Sequence, residues 1–346
     1  LGSSFACIGV VIGATGYAGG GPSANLPVAR GGIVACGLAY TLVGFAVMAS
    51  GTAWIERLMP PVVTGAVVAV IGLNLAPIAV KGASSTPFDA WMAVMTILSV
   101  GGIAVFTRGL VQRLLILVGL ALACVIYGIL ANGMGLGKPI ALAGIAAAPW
   151  IGAPRFAAPV FDGNAIALIA PVAVILVAEN LGHLKAVGAM TGRNLDPMIG
   201  RAFVGDGVAT MIAGSVGGTG VTTYAENIGV MAVTKIYSTL VFVVAAAIAV
   251  VLGFSPKFGA LIQAIPAAVL GGVSIVVFGL IAAAGARIWV DNRVDFADNR
   301  NLIVAAVTLV LGAGDFTLGI AGFTLGGIGT ATFGAILLNL LLGRGR

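Results

Sequence analysis

The sequence predicts an all-α polytopic membrane protein built as two inverted repeats, and three observations predict it. Apolar residues fill 60% of the 346 positions and charged residues only 8%, with a mean hydropathy of +1.15; soluble domains carry about 45–50% and about 25%. The apolar residues fall into runs close to the roughly 20 residues that a hydrocarbon layer of about 30 Å asks of a helix. The third observation is an internal repeat, which relates the first part of the chain to the last.

The apolar runs lie near 5–20, 31–50, 62–80, 90–106, 112–131, 164–188, 202–217, 225–234, 236–253, 262–285, 301–313 and 320–343. Two of the twelve are too short to span alone. The 53 glycines suit such a bundle, because small residues let membrane helices approach closely. Between 132 and 163 runs the longest polar-leaning connection, rich in Gly, Ala and Pro, with room for a surface helix. Cys7, Cys36 and Cys124 lie within apolar runs and are odd in number, which argues for small buried hydrophobes and against a disulfide framework or a metal cluster.

Ser3-Ser4-Phe5-Ala6, followed by Ile8-Gly9-Val10, matches Thr222-Thr223-Tyr224-Ala225, followed by Ile228-Gly229-Val230, at an offset of 219 that becomes 220 after one inserted residue. Gly65 and Gly72-Leu73 return as Gly272 and Gly279-Leu280 at an offset of 207. The second half carries two runs, 164–188 and 202–217, ahead of its matching stretch, whereas the first half begins at Leu1. Two segments are therefore expected before Leu1, giving two sevens in all. Seven segments per half place the halves in opposite orientations, a transporter architecture. With the C-terminus inside, only Arg30, Lys81, Lys138, Arg155 and Lys257 of the 17 Lys and Arg fall outside, the asymmetry that orients membrane proteins toward a cytoplasmic C-terminus. The net charge of +6 then needs no nucleic acid to explain it.

Val221-Thr222-Thr223-Tyr224 is β-branched and aromatic and reads as extended, with a helix of two to three turns from Ala225 onward. Broken segments at matching positions of two inverted halves point to a binding site at the membrane midplane, where the half-helix N-termini expose unpaired N–H groups. Phe5 and Glu226 then face one another across it. Thr223 and Glu226 have the spacing of a capping box, but the first-half counterpart, Ser4 to Cys7, starts an equivalent helix without an acid. A carboxylate at membrane depth is a functional candidate. Glu179 shares that depth, with His183, the single histidine of the chain, one turn further on the same face. Asp206 lies between glycines in the next run, suited either to a helix-bridging hydrogen bond or to handling a proton. Asp315 near a segment end reads as a solvated terminus.

Glu226-Asn227-Ile228-Gly229, continuing to Thr234-Lys235, resembles the signature of the nucleobase-ascorbate transporters, also called the nucleobase cation symporter-2 family. Ala178-Glu179-Asn180-Leu181-Gly182-His183-Leu184 resembles the matching segment of that family's bacterial uracil permease branch. The resemblance covers essentially the whole chain. It implies fourteen segments in a core and a gate domain, with the third and tenth segments each a short strand plus a half-helix. Divided accordingly, the core takes 1–50 and 164–257, the gate takes 51–131 and 258–346, and 132–163 connects them. The resemblance places substrate between the strands, contacted by Phe5, Glu179, Ala225 through its backbone, Glu226 and Asn227, with His183 as a supporting polar contact. Proton coupling falls to Glu179, Asp206 and His183.

Uracil fits such a site, being planar, uncharged at neutral pH and bordered by N–H donors beside carbonyl acceptors that carboxylates and freed backbone amides can meet. Xanthine or another purine is the alternative within the same family. An anion carrier is disfavoured by two acids facing the cargo. An intramembrane metal enzyme, with Glu179, His183 and Glu226 as ligands, is disfavoured by a single His and no Cys-His grouping. The reading is therefore a carrier and not an enzyme, with no cofactor and no metal, in the cytoplasmic membrane. The partners it implies are a nucleobase, protons and the lipid bilayer, and it is compatible with a homodimer.

Overall fold

The computed structural model describes residues 2–16, 25–154, 156, 158–320 and 323–343. Arg155, Arg344 and Arg346, counted above for orientation, lie outside the described residues, as do the side chains of Ala225 and Glu226. In chain order the first half runs β1 (Gly2–Ser3), α1 (Ala6–Thr15), α2 (Leu26–Ser50), α3 (Ala53–Leu58), α4 (Pro61–Ala83), α5 (Pro87–Phe106), α6 (Leu110–Arg113), α7 (Leu115–Gly128) and α8 (Leu142–Ala147). The second half runs α9 (Gly163–Ile169), α10 (Val172–Thr191), α11 (Ile199–Val216), β2 (Val221–Thr222), α12 (Ala225–Thr234), α13 (Thr239–Gly253), α14 (Pro256–Gln263), α15 (Ala267–Asp291), α16 (Asn299–Ala313), β3 (Leu318–Ile320), β4 (Phe323–Leu325) and α17 (Gly327–Leu342).

Among the described residues six helical stretches are long and apolar enough to cross a membrane, and a seventh arises if α13 and α14, bent by 85° at their junction, count as one span. Pro256 at the start of α14 suits that break: its missing N–H costs nothing in a first helical turn, and the Ser255 hydroxyl accepts from Phe258 N at 3.3 Å. The same chemistry starts α5, where Pro87 follows Thr86, whose hydroxyl accepts from Asp89 N at 3.1 Å and donates to the Asp89 carboxylate at 2.9 Å. α1, α16 and α17 are shorter apolar helices. The chain is an all-α polytopic membrane protein with a few short strands.

Residues 1–75, 156–235 and 280–346 form one compact unit, and residues 76–155 and 236–279 form a second. Within the first, α2 and α11 pack backbone to backbone. A Cβ on Gly207 would lie 2.6 Å from Thr41 N, and one on Gly37 would lie 2.7 Å from Gly207 O. One turn and more along, Gly44 meets Val204 N and Gly200 meets Met48 N in the same manner. Glycine is required along this seam because helices in lipid associate through close van der Waals packing. The close approach buries Tyr40 against Phe203, ring centroids 5.5 Å apart.

Elsewhere in this unit Asp315, just beyond α16, is exposed, as expected of a solvated segment end, and it also has protein partners. Its carboxylate accepts from Asn74 Nδ2 and from Gly327 N, each at 3.1 Å, and so ties α4 to the start of α17. In the second unit, Met92, Ala123, Tyr127, Ala131, Ala268 and Val269 form one buried cluster. Phe88 packs edge-on against Tyr127, whose hydroxyl donates to Lys138 O at 3.0 Å. α13 is apolar and exposed along its length, as suits a helix in contact with lipid.

Candidate functional site

The two broken segments meet as strands. β1 pairs antiparallel with β2, Gly2 opposite Thr222 and Ser3 opposite Val221, and Ser4 N extends the pairing by donating to Gly220 O at 2.7 Å. The chain can turn from α11 into β2 because Gly217 takes φ 106, a left-handed conformation that a side chain would oppose. Val221 N then donates to Thr210 Oγ1 at 3.2 Å, anchoring β2 to α11. Each strand leads into a ten-residue helix, α1 and α12. The N-cap residues Phe5 and Tyr224 make no side-chain cap; in α1 Ser4 takes that part, its hydroxyl accepting from Ala6 N at 3.3 Å.

The capping-box alternative, which the sequence offered but did not require, is not taken up by Thr223. α12 starts at Ala225, which makes Tyr224 the N-cap and leaves Thr223 one residue too early. Tyr224 instead donates its hydroxyl to Ser3 O at 2.5 Å and lays its ring 6.2 Å from that of Phe5. The Thr223 hydroxyl turns the other way, toward α10.

α10 follows α9 after a break at Ala170-Pro171 and carries Glu179, Asn180 and His183 toward β2. The Thr222 hydroxyl, fully buried, donates to Glu179 Oε2 at 3.1 Å. His183 Nδ1 lies 2.7 Å from Thr223 Oγ1. Asn180, also fully buried, uses its whole amide: Nδ2 donates to Tyr40 Oη and to Asp206 Oδ2, and Oδ1 accepts from Thr223 Oγ1. Tyr40 Oη in turn donates to Leu176 O at 3.4 Å. Asp206 is buried on α11. One continuous polar chain thus links three helices and the residue that follows β2 inside an apolar interior.

Phe5, Glu179, His183 and Asp206 are therefore gathered around the paired strands. Asn227 lies on α12 with an exposed side chain, and the side chains of Ala225 and Glu226 lie outside the described residues. Asn180, Thr222, Thr223 and Tyr40 were not singled out as site residues from sequence. Asn180 was signalled by its place in the 178–184 motif and the two threonines by the internal repeat, whereas Tyr40 showed only a hydroxyl inside an apolar run. Among the described residues no group of three or more His, Cys, Asp or Glu side chains is placed to hold a metal ion.

Paired strands that each lead into a short helix, among apolar helices long enough to cross a membrane, are the broken-segment arrangement seen in membrane transporters. The chain belongs to the Permease family, whose family model matches residues 1–321. It is 71% identical over 344 residues to the "Putative pyrimidine permease RutG" of Escherichia coli (strain K12), covering 99% of this chain and 78% of that protein. It is 39% identical over 323 residues to the uracil permease of Bacillus caldolyticus, covering 89% and 72% respectively. To the uracil permease of Escherichia coli (strain K12) it is 36% identical over 351 residues, covering 99% and 79%. The protein is a transporter, not an enzyme, which removes the metal-enzyme alternative.

Proposed function

We propose that the protein carries uracil or a closely related nucleobase into the cell by alternating access, coupled to protons, across the cytoplasmic membrane. The observation that carries this reading is the convergence of Glu179 on Thr222 of the strand that pairs with β1 and of His183 on Thr223 just after it. A carboxylate beside main-chain groups at the strand ends offers acceptors and donors to the edge of a planar base, and Phe5 offers it a ring face. The names of the relatives, pyrimidine permease and uracil permease, favour a pyrimidine over a purine.

In this reading Glu226, the Ala225 backbone and Asn227 complete the base contacts, and Glu179 carries the transported proton with Asp206 and His183 in support. The two halves are inverted repeats, and the C-terminus is cytoplasmic. The moving parts are a core of 1–50 and 164–257 and a gate of 51–131 and 258–346. Compact units group residues by contact, whereas this division is by motion, so their boundaries need not coincide.

Uptake of radiolabelled uracil by cells that lack their own uracil carriers and express this protein tests the reading, with thymine and xanthine as competitors. Saturable uptake blocked by excess uracil and abolished by a protonophore is expected. Uptake blocked by xanthine but not by uracil would move the substrate to the purines. Uptake indifferent to the protonophore would remove proton coupling.

A further inference from the structure

The outward face of α14 is apolar. Phe258, Leu261 and Ile262 stand at i, i+3 and i+4, the spacing of one helix face, and all three are exposed. A helix bathed in water turns its polar face outward, so an exposed apolar stripe needs a cover. The neighbouring segment extends the same surface. Gly152 N donates to Phe254 O at 2.9 Å and Lys257 N donates to Pro149 O at 3.0 Å, so the chain after α8 runs against the start of α14. There Trp150 is 74% and Ile151 84% exposed.

Lys257 sits at the edge of this surface. Its Nζ lies 4.7 Å from the centroid of the Trp150 ring and donates to Ala146 O at 3.4 Å. Among the described residues none of the ion pairs includes Lys257. Acids are scarce throughout the second compact unit: residues 76–155 and 236–279 carry Lys81, Arg108, Arg113, Lys138, Arg155 and Lys257 against Asp89 alone. Asp89 is taken up by Thr86 at the start of α5. An ammonium without a carboxylate, held over a ring beside an exposed apolar stripe, matches the chemistry of a phospholipid, which joins an anionic headgroup to acyl chains.

The course of the chain agrees. α13 is apolar and exposed along its length, as suits a helix that crosses the bilayer, and the 85° turn at its end then lays α14 close to the membrane plane. In that attitude the α14 stripe reaches the acyl chains while Lys257 and Trp150 stay at headgroup level, the disposition of an interfacial amphipathic helix. We propose that α14 and residues 149–152 form an in-plane platform that binds an anionic phospholipid, with its phosphate against Lys257 and its chains along Phe258, Leu261 and Ile262. In the orientation proposed above the lipid belongs to the outer leaflet, and the site is independent of the transported substrate.

Native mass spectrometry of the purified full chain, delipidated in detergent and titrated with phosphatidylglycerol or phosphatidylcholine, reads the headgroup preference. Phosphatidylglycerol should bind more tightly. Lys257→Gln should weaken it by about fivefold, the effect of one lysine near an anionic headgroup, and leave phosphatidylcholine unchanged. Arg287→Gln, which removes the same charge from α15, should preserve the preference. Equal affinity for the two lipids, or a preference that survives Lys257→Gln, overturns the proposal. Displacement of bound phosphatidylglycerol by excess inorganic phosphate also overturns it, because the site would then read a free anion. A nitroxide on Leu261→Cys, in a chain whose partly exposed Cys124 is replaced by serine, reports what covers α14 in phosphatidylglycerol bilayers. Collision with dissolved oxygen rather than with an aqueous nickel chelate is expected. Collision with the chelate, or spin–spin broadening between copies, overturns the proposal in favour of water or of a second copy of the chain.

Discussion

Thr222 donates its hydroxyl to Glu179 Oε2 across 3.1 Å and so ties the strand of one broken segment to the carboxylate of a neighbouring helix. The hydroxyl is fully buried, so its hydrogen bond holds that carboxylate in one orientation against competition from water.

Thr222→Val keeps the shape of the side chain and removes the donor. A hydrogen bond to a charged group contributes about 1.5 kcal/mol or more, so the uracil Kd should rise about tenfold with little change in the thermal midpoint. Equilibrium binding of labelled uracil to purified protein checks it, and an unchanged Kd would remove Thr222 from the site.

Glu226→Gln keeps size and turns one acceptor edge into a donor facing a ring N–H. High-affinity uracil binding should disappear while the detergent-solubilised protein elutes as a single folded species. Wild-type affinity in that variant would take Glu226 out of the contacts proposed above.

The α2–α11 seam makes a prediction about folding instead. Gly207→Leu drives a side chain into the Thr41 backbone, where a Cβ alone would lie 2.6 Å from Thr41 N. Overpacking of this kind costs about 1–3 kcal/mol or more. The variant should lose several degrees in its unfolding midpoint, and the Asp206–Asn180 contact, which depends on that seam, should weaken with it. Unaltered stability would mean that the helices separate at little cost.

Lys185 is the contrasting case. It pairs with Glu56 at 3.0 Å and Asp196 at 2.7 Å, but all three side chains are nearly half exposed. Screening by solvent leaves such pairs about 0–1 kcal/mol. Lys185→Met should shift the unfolding midpoint by no more than a degree or two and leave uracil uptake at the wild-type rate; a large loss of either would show that the ion pairs do more than brace the surface.

The apolar runs, the strand-plus-half-helix at 221–234 and the candidate acids were legible because each leaves a local mark: length, β-branching, or a charge where charge is costly. Hydrogen-bond partners were not. Asn180 meets Tyr40 across 140 positions and Thr223 across 43, and such pairings are set by how closely α2, α10 and α11 approach, which glycine spacing suggests but does not orient. Thr223 shows the limit well. Its spacing to Glu226 fitted a cap, yet the start of α12 one residue later gave its hydroxyl to α10. The partners of Asp315, which is exposed as expected, were not legible for a related reason, since they come from α4 and from the main chain after β4.

The central claim is that Glu179 both holds the base and carries the proton. Uracil-driven proton flux into proteoliposomes, measured with wild type and with Glu179→Gln, tests it most directly. Wild type should move protons in a fixed ratio to uracil. Glu179→Gln should lose that flux and any accumulation against a gradient, while retaining exchange of uracil across the membrane, because a neutral side chain no longer has to be protonated before the carrier reorients. An unchanged proton-to-uracil ratio in Glu179→Gln would contradict the account and transfer the coupling role to Asp206.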